Sequence, residues 1–338
     1  MNKKLLAKII FVAVLIAIIL YTFRDSADSI MEQLRITPMS VLLAICVSSV
    51  IYHLFEGWII YTMARHYNPT FPYWSGVFCA FYCSFYRLST LGSGAGVAAI
   101  VYLGKHGVGY SEATGLYMIQ YMIHKVSIAI FSGVFFLANW TFMVARYREY
   151  AVYLCLAYGL TVLIAVGLVL FAVSAKFHGL ILALVRLFNK SGKLDGALKA
   201  LEENCVIMEK TTSALVKDVK TLVIVVIKTL VKLCFWYCIP CLILFMSREI
   251  SLINSFSITS LSVMTAAVIP TPAGIGAVEL IMTNLYSVLV GLDKAAAVTV
   301  LYRLATFIFP FAVGGVMILI RRMVFRKNTV NISEKNLV

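Results

Sequence analysis

Apolar residues run in long blocks along this chain, separated by short polar or charged segments. Six blocks approach or exceed the roughly 20 residues that cross a bilayer as a helix: Ile9–Phe23, Pro38–Met63, Ala113–Phe142, Val152–Val173, Leu222–Met246 and Ala295–Ile320. Two further blocks are interrupted. Trp74–Leu103 is broken by Leu91-Gly-Ser-Gly-Ala-Gly96, and the second, Ser251–Ile269 with Ala277–Val290, by Pro270-Thr-Pro-Ala-Gly-Ile-Gly276. In lipid only helices and closed barrels satisfy their own backbone, and blocks this long and continuous are helical. The pattern predicts an all-α polytopic membrane protein with six full spans and two broken, re-entrant helical hairpins.

The breaks follow from residue chemistry. Pro270 and Pro272 lack the N–H a helix needs, whereas Gly274 and Gly276, like Gly92, Gly94 and Gly96, carry no side chain to favour it. Broken backbone at membrane depth is tolerated where it is buried in protein or lines a watery cavity. Both breaks are therefore expected at a polar site.

Loop charges give the expected orientation. Lys3, Lys4 and Lys8 precede the first span and Asp25, Asp28 and Glu32 follow it, so the N-terminus is expected in the cytoplasm. Arg321, Arg322, Arg326 and Lys327 place the C-terminus on the same side. No small-x-small cleavage site follows the first span, which reads as retained. The first hairpin lies between the cationic loops Arg65-His66 and Lys105-His106, so it enters and leaves from the cytoplasm. By parity the second enters from outside; Arg146 and Arg148 run against this parity. Two units, about 38–142 and 221–325, thus face opposite ways, the signature of an inverted-repeat transporter. Ala95-Gly-Val-Ala-Ala in the first echoes Ala273-Gly-Ile-Gly-Ala in the second. The charged segment 176–220 reads as an amphipathic cytoplasmic linker, within one integral-membrane domain spanning 1–338.

Composition agrees: 62% of residues are hydrophobic and 13% charged, with a mean hydropathy of +0.93. In a soluble chain the net charge of +14 would point to nucleic acid. Here it reads as cytoplasmic-loop bias and attraction to anionic lipid, with no nucleic-acid partner. The eight cysteines fall mostly in apolar runs without histidine or carboxylate at ligand spacing, so no disulfide framework, metal or cofactor is expected. Trp58, Trp74, Trp140 and Trp236 read as interfacial or packing residues.

An ionisable side chain at the bilayer centre costs from about 3 to more than 10 kcal/mol unless it is paired or hydrated. Glu56, Arg87, Lys125, Glu279 and Arg303 stand where that cost arises. Glu279 opens the returning half-helix of the second hairpin, and Tyr302-Arg303 lies in the following span, so the two charges can pair. The half-helix beginning near Gly274 and Gly276 points its positive dipole end at the break. Arg303 and Lys125, with the amides of that break, would hold a phosphate, while Glu279 and Glu56 would balance a cationic headgroup or exchange a proton. These groups are the expected substrate site; no catalytic residue is assigned. A purely structural Glu279–Arg303 pair is the competing reading. His53 reads as a hydrogen-bonded histidine packed near Glu56, and Lys228 and Lys232 as lysines snorkelling to the headgroups.

Pro270-Thr-Pro-Ala-Gly-Ile-Gly-Ala-Val-Glu279, followed by Gly291, Ala295 and Tyr302-Arg303, resembles the transmembrane domain of the lysylphosphatidylglycerol synthase/flippase family. The likeness covers nearly the whole chain in hydropathy and loop order, with the specific motif in its last quarter. The first-half glycine cluster lacks the proline and nearby basic residue usual in the family. The resemblance implies a flippase of the cell membrane that moves an anionic or aminoacylated phospholipid, or a polyprenyl-phosphate-linked sugar, between leaflets and so protects against cationic peptides. In bifunctional relatives a separate cytoplasmic domain makes the lipid from aminoacyl-tRNA; the sequence ends at Val338 without room for it. The alternatives are the membrane component of a phosphatidylglycerol lysyltransferase whose catalysis lies on another chain, and a scaffold recruiting envelope enzymes through segment 176–220. The expected partners are a membrane phospholipid and a separate lipid aminoacyltransferase or envelope enzyme, with a homodimer also compatible.

Overall fold

A computed structural model describes residues 31–32, 35–189, 195–196, 198–203, 205–206, 218–245, 250–269 and 271–335. The expected first span, residue Pro270 and much of segment 176–220 lie outside the described residues. Among the described residues the protein is helical throughout, with no strand.

The helices are α1 (Met39–Ala64), α2 (Tyr73–Ser89), α3 (Gly94–Lys105), α4 (Tyr110–Ala138), α5 (Trp140–Arg146), α6 (Ala151–Val173), α7 (Ala175–Phe188), α8 (Val219–Tyr237), α9 (Ile239–Ile243), α10 (Leu252–Ala266), α11 (Ala277–Val290), α12 (Leu292–Arg303) and α13 (Phe309–Lys335). Five stretches are long and apolar enough to cross a bilayer: Met39–Ala64, Tyr110–Ala138, Arg148–Phe171, Val219–Ile243 and Leu292–Met323. Shorter apolar helices accompany them, namely Gly94–Lys105, Leu252–Ala266 and Ala277–Val290. The chain is a multi-pass membrane protein. In α6 large apolar side chains (Val152, Leu156, Leu163) stand exposed, as lipid-facing positions do.

Local chemistry sets the ends. Asp218 caps α8 by accepting the Thr221 N–H at 3.0 Å. Pro240, which cannot donate, stands where the apolar run from Leu222 steps from α8 into α9. Between α12 and α13 the residues Leu304–Ile308 form a π-helical turn, immediately after Arg303. Such bulges occur often at functional sites.

Helices α2 and α3 pack together as one helical hairpin and α10 and α11 as another, and α2 also lies between α1 and α13. One buried cluster gathers Ile59, Met63, Leu103, Leu116 and Ile119 around the first hairpin. A second gathers Ile258, Met264, Met282, Tyr286 and Leu301 around the second. Asn139, just past α4, donates to Asn254 Oδ1 at 2.9 Å and Ser257 Oγ at 3.2 Å, pinning α4 to α10.

One break differs from expectation. The first hairpin turns at Thr90–Ser93, and Gly94 and Gly96 are helical, in the opening turn of α3. Thr90 Oγ1 accepts the Gly94 N–H at 2.6 Å and so starts the helix there. A Cβ on Gly96 would stand 2.7 Å from the Tyr117 ring, so this glycine serves close packing and not chain reversal.

Glycine also sets the approach of α1 to α2. A Cβ on Gly57 would fall 2.5 Å from the Val77 Cα, and one on Gly76 would strike the Gly57 carbonyl. Both obstacles are backbone, which cannot rotate aside. Gly76→Val is therefore expected to force the helices apart and cost about 1–3 kcal/mol, read as a lower unfolding midpoint in detergent; an unchanged midpoint would show the contact is absent.

Candidate functional site

One pair of opposite charges lies at the second hairpin break, and another lies against the cavity beside the first hairpin. At the second, Arg303 Nε donates to Glu279 Oε1 at 2.7 Å and Nη2 to Glu279 Oε2 at 3.2 Å, a two-pronged ion pair. Nη2 also donates to the Gly274 carbonyl at 2.8 Å, tying the guanidinium to the broken backbone. The Gly276 N–H donates to Glu279 Oε2 at 2.8 Å, so the helix-terminal amide already holds an anion, the carboxylate three residues on. Gly274 and Gly276 have φ of +71° and +82°, a region that suits glycine. The face of Phe307 lies 4.9 Å from the guanidinium carbon. Both paired side chains are mostly buried, and Tyr302 beside Arg303 is fully so.

At the first hairpin, Glu56 of α1 is ion-paired with Lys232 of α8, and Gln120 Nε2 of α4 donates to Glu56 Oε1 at 2.9 Å. Lys232 is 1% exposed and its ammonium lies 5.1 Å from the Tyr52 ring centre; Tyr52 in turn stacks on Trp236 at 3.6 Å. A polar cavity of about 50 Å³ adjoins Glu56, with His53, Ser84, Arg87, Tyr117 and Gln120 in its wall. That volume exceeds what one water needs, roughly 10–15 Å³, yet is too small for a whole headgroup. His53 bridges α1 and α2, its Nδ1 2.8 Å from the Ser49 carbonyl and its Nε2 3.0 Å from Ser84 Oγ. It is the hydrogen-bonded histidine expected near Glu56.

The expected residues thus divide between two clusters. Glu279, Arg303, Gly274 and Gly276 meet at the second break. Glu56 and Arg87 line the first cavity, and Lys125 lies 5.4 Å from the Tyr121 ring centre. One lysine is corrected: Lys232, expected to snorkel, is paired in the interior, whereas Lys228 donates to Thr62 Oγ1 at 2.7 Å and covers the Trp58 face at 4.0 Å. Sequence reasoning also missed Gln120 and Tyr52 as parts of this network. The one available signal was Glu56 itself, a buried acid that required a cation on a facing helix.

The clusters touch through the hairpin tips. A Cβ on Gly92 would lie 3.2 Å from the Ala273 nitrogen and 3.6 Å from its Cβ. Arg87 connects to the first tip through its carbonyl, which accepts the Gly92 N–H at 2.7 Å. Among the described residues no group of three or more His, Cys, Asp or Glu could hold a metal ion.

These features define a polytopic helical membrane protein with two interior charge pairs, one of them at a helix break. The chain belongs to the family described as the lysylphosphatidylglycerol synthase TM region, whose model matches residues 5–314. Membership relates it to the handling of lysylphosphatidylglycerol. No curated protein matches the chain.

Proposed function

We propose that this protein is a flippase: it moves an anionic or aminoacylated phospholipid, such as lysylphosphatidylglycerol, between leaflets, passing the headgroup through the polar interior while the acyl chains stay in the bilayer. The observation that carries this reading is the Arg303–Glu279 pair at the second break. Its carboxylate takes one amide and two guanidinium hydrogen bonds, the donors that a phosphate of the same charge sign would use. A phosphate can exchange with Glu279 at these donors without leaving either partner bare for long. When the site is empty, the internal pairs keep charge from lying unpaired at membrane depth. Arg87 and Lys125 add cations beyond those paired with Glu56 and Glu279, which favours an anionic ligand.

The order span, broken hairpin, span occurs twice, as α1, α2–α3, α4 and as α8–α9, α10–α11, α12–α13. That recurrence supports a repeat of about 38–142 and 221–325 in one membrane domain, and the loop charges favour its inversion, Ile9–Phe23 as a sixth span and both termini in the cytoplasm. Tilting of one unit against the other then carries the headgroup across.

The test is reconstitution in liposomes holding fluorescent lysylphosphatidylglycerol, read by quencher access to the outer leaflet. The protein is expected to accelerate exchange between leaflets, and Glu279→Gln to slow it about tenfold by removing the exchangeable anion. Exchange no faster than in protein-free liposomes, or a folded Glu279→Gln variant at full rate, would refute this function.

A further inference from the structure

Among the described residues, the non-glycine residues with positive φ are Leu91 and Ala273, each at 55°. Residues hold that conformation where their surroundings over-determine it, and such strain gathers at switch regions and ligand clamps. These two stand at the tips of the two broken hairpins, and those tips touch: the open side of Gly92, itself at φ +97°, faces Ala273. Each tip is also hydrogen-bonded to a charged residue of its own cluster. The Gly92 N–H is held by the Arg87 carbonyl at 2.7 Å, and the Gly274 carbonyl by Arg303 Nη2 at 2.8 Å.

We propose that the two tips form one gate, whose closed state is the Gly92–Ala273 contact and whose release is the loss of the Arg303 hydrogen bond to Gly274 when a phosphate engages that guanidinium. This rests on the transport reading above and adds where the barrier lies. Charge rearrangement at Arg303 and movement of the second tip are one event, because the same Nη2 serves both Glu279 and the Gly274 carbonyl. Strain at positions 91 and 273 is held by the closed contact and favours opening once the tether is gone.

The geometry allows a direct lock. A disulfide needs Cβ atoms about 3.5–4.5 Å apart, and the Cβ position of residue 92 is 3.6 Å from that of Ala273. In Gly92→Cys/Ala273→Cys protein, oxidation is expected to link the two positions, as shown by peptide mapping, and to slow lipid exchange by about tenfold, with recovery on reduction; the single variants show neither effect. Linked protein that exchanges lipid as fast as the unlinked dithiol form overturns the gate, and so does folded double variant that does not link. If the wild-type protein moves no lipid while the link still forms, the transport reading fails and the tip contact stands.

Cysteine at position 92 must adopt the positive φ, so a second variant avoids that demand. Ala273→Gly relieves the strain in the closed tip. It is expected to raise the unfolding midpoint and slow lipid exchange by roughly fivefold, because the closed state deepens. A raised midpoint with an unchanged exchange rate would leave residue 273 a structural position only and refute the stored-strain gate, as would an unchanged midpoint.

Discussion

Lys232→Met is expected to destabilise the protein by about 3–5 kcal/mol, the loss typical when one member of a buried ion pair is removed. The variant retains most of the side-chain volume, and the methionine still packs beside Tyr52. What it lacks is the charge that neutralises Glu56, whose remaining hydrogen-bond partner in the network is the amide of Gln120. In the double variant Lys232→Met/Glu56→Gln most of that loss should return, since an amide can pair with Gln120 and leaves no net charge. The comparison, a double-mutant cycle from unfolding in detergent, isolates the pair from the packing. A Lys232→Met protein as stable as the wild type would show that the ammonium can reach water, as a snorkelling lysine does. A double variant no better than the single would put the loss in packing against Tyr52 and Trp236.

Lys232 also shows where reading the sequence stops. A lysine in the first half of an apolar span is ordinarily placed at the headgroups, and Lys228 and Lys232, one turn apart, look alike by spacing. They diverge because Glu56 lies opposite one of them on a helix far away in the chain, and no local pattern carries that pairing. Gln120 and Tyr52 were hidden for the same reason. Interactions within a short stretch were legible: Glu279 and Gly276 are three residues apart, and the proline and glycine content of 270–276 announces a broken helix whatever surrounds it. Arg303 lies one apolar segment further on, and its pairing with Glu279 could be inferred because the short Gly291 turn brings α12 back along α11. The first break misled by composition. Three glycines in Leu91–Gly96 suggest one continuous interruption, yet the Thr90 hydroxyl restarts the helix at Gly94, and Tyr117 accounts for Gly96. Glycine that permits a turn and glycine that permits a close approach look the same in sequence. Ends of the blocks Pro38–Met63 and Val152–Val173 fell within a residue of the helix ends, whereas the charges after Ile320 did not end α13, which runs on to Lys335: charge marks where lipid gives way to water and does not by itself stop a helix.

Arg303 supplies the other large effect, and the one that decides between a structural pair and a working site. Arg303→Ala leaves Glu279 without its cation in a mostly buried setting and should cost about 3–5 kcal/mol of stability. Arg303→Ala/Glu279→Gln should recover most of that. If the pair were only structural, lipid exchange would return with the fold. The flippase reading predicts the opposite: the double variant is folded and remains slower than wild type by about tenfold or more, because the two-pronged donor for a phosphate is gone. Arg303→Lys sharpens the test, since it keeps the charge and much of the stability. A single ammonium cannot reproduce the Nε and Nη2 contacts to Glu279 and the hydrogen bond to Gly274 in one fixed geometry. It should therefore fold well and still exchange lipid about tenfold more slowly. Full exchange by Arg303→Lys would reduce the guanidinium to a counter-charge, and full exchange by Arg303→Ala/Glu279→Gln would show that nothing passes through this pair.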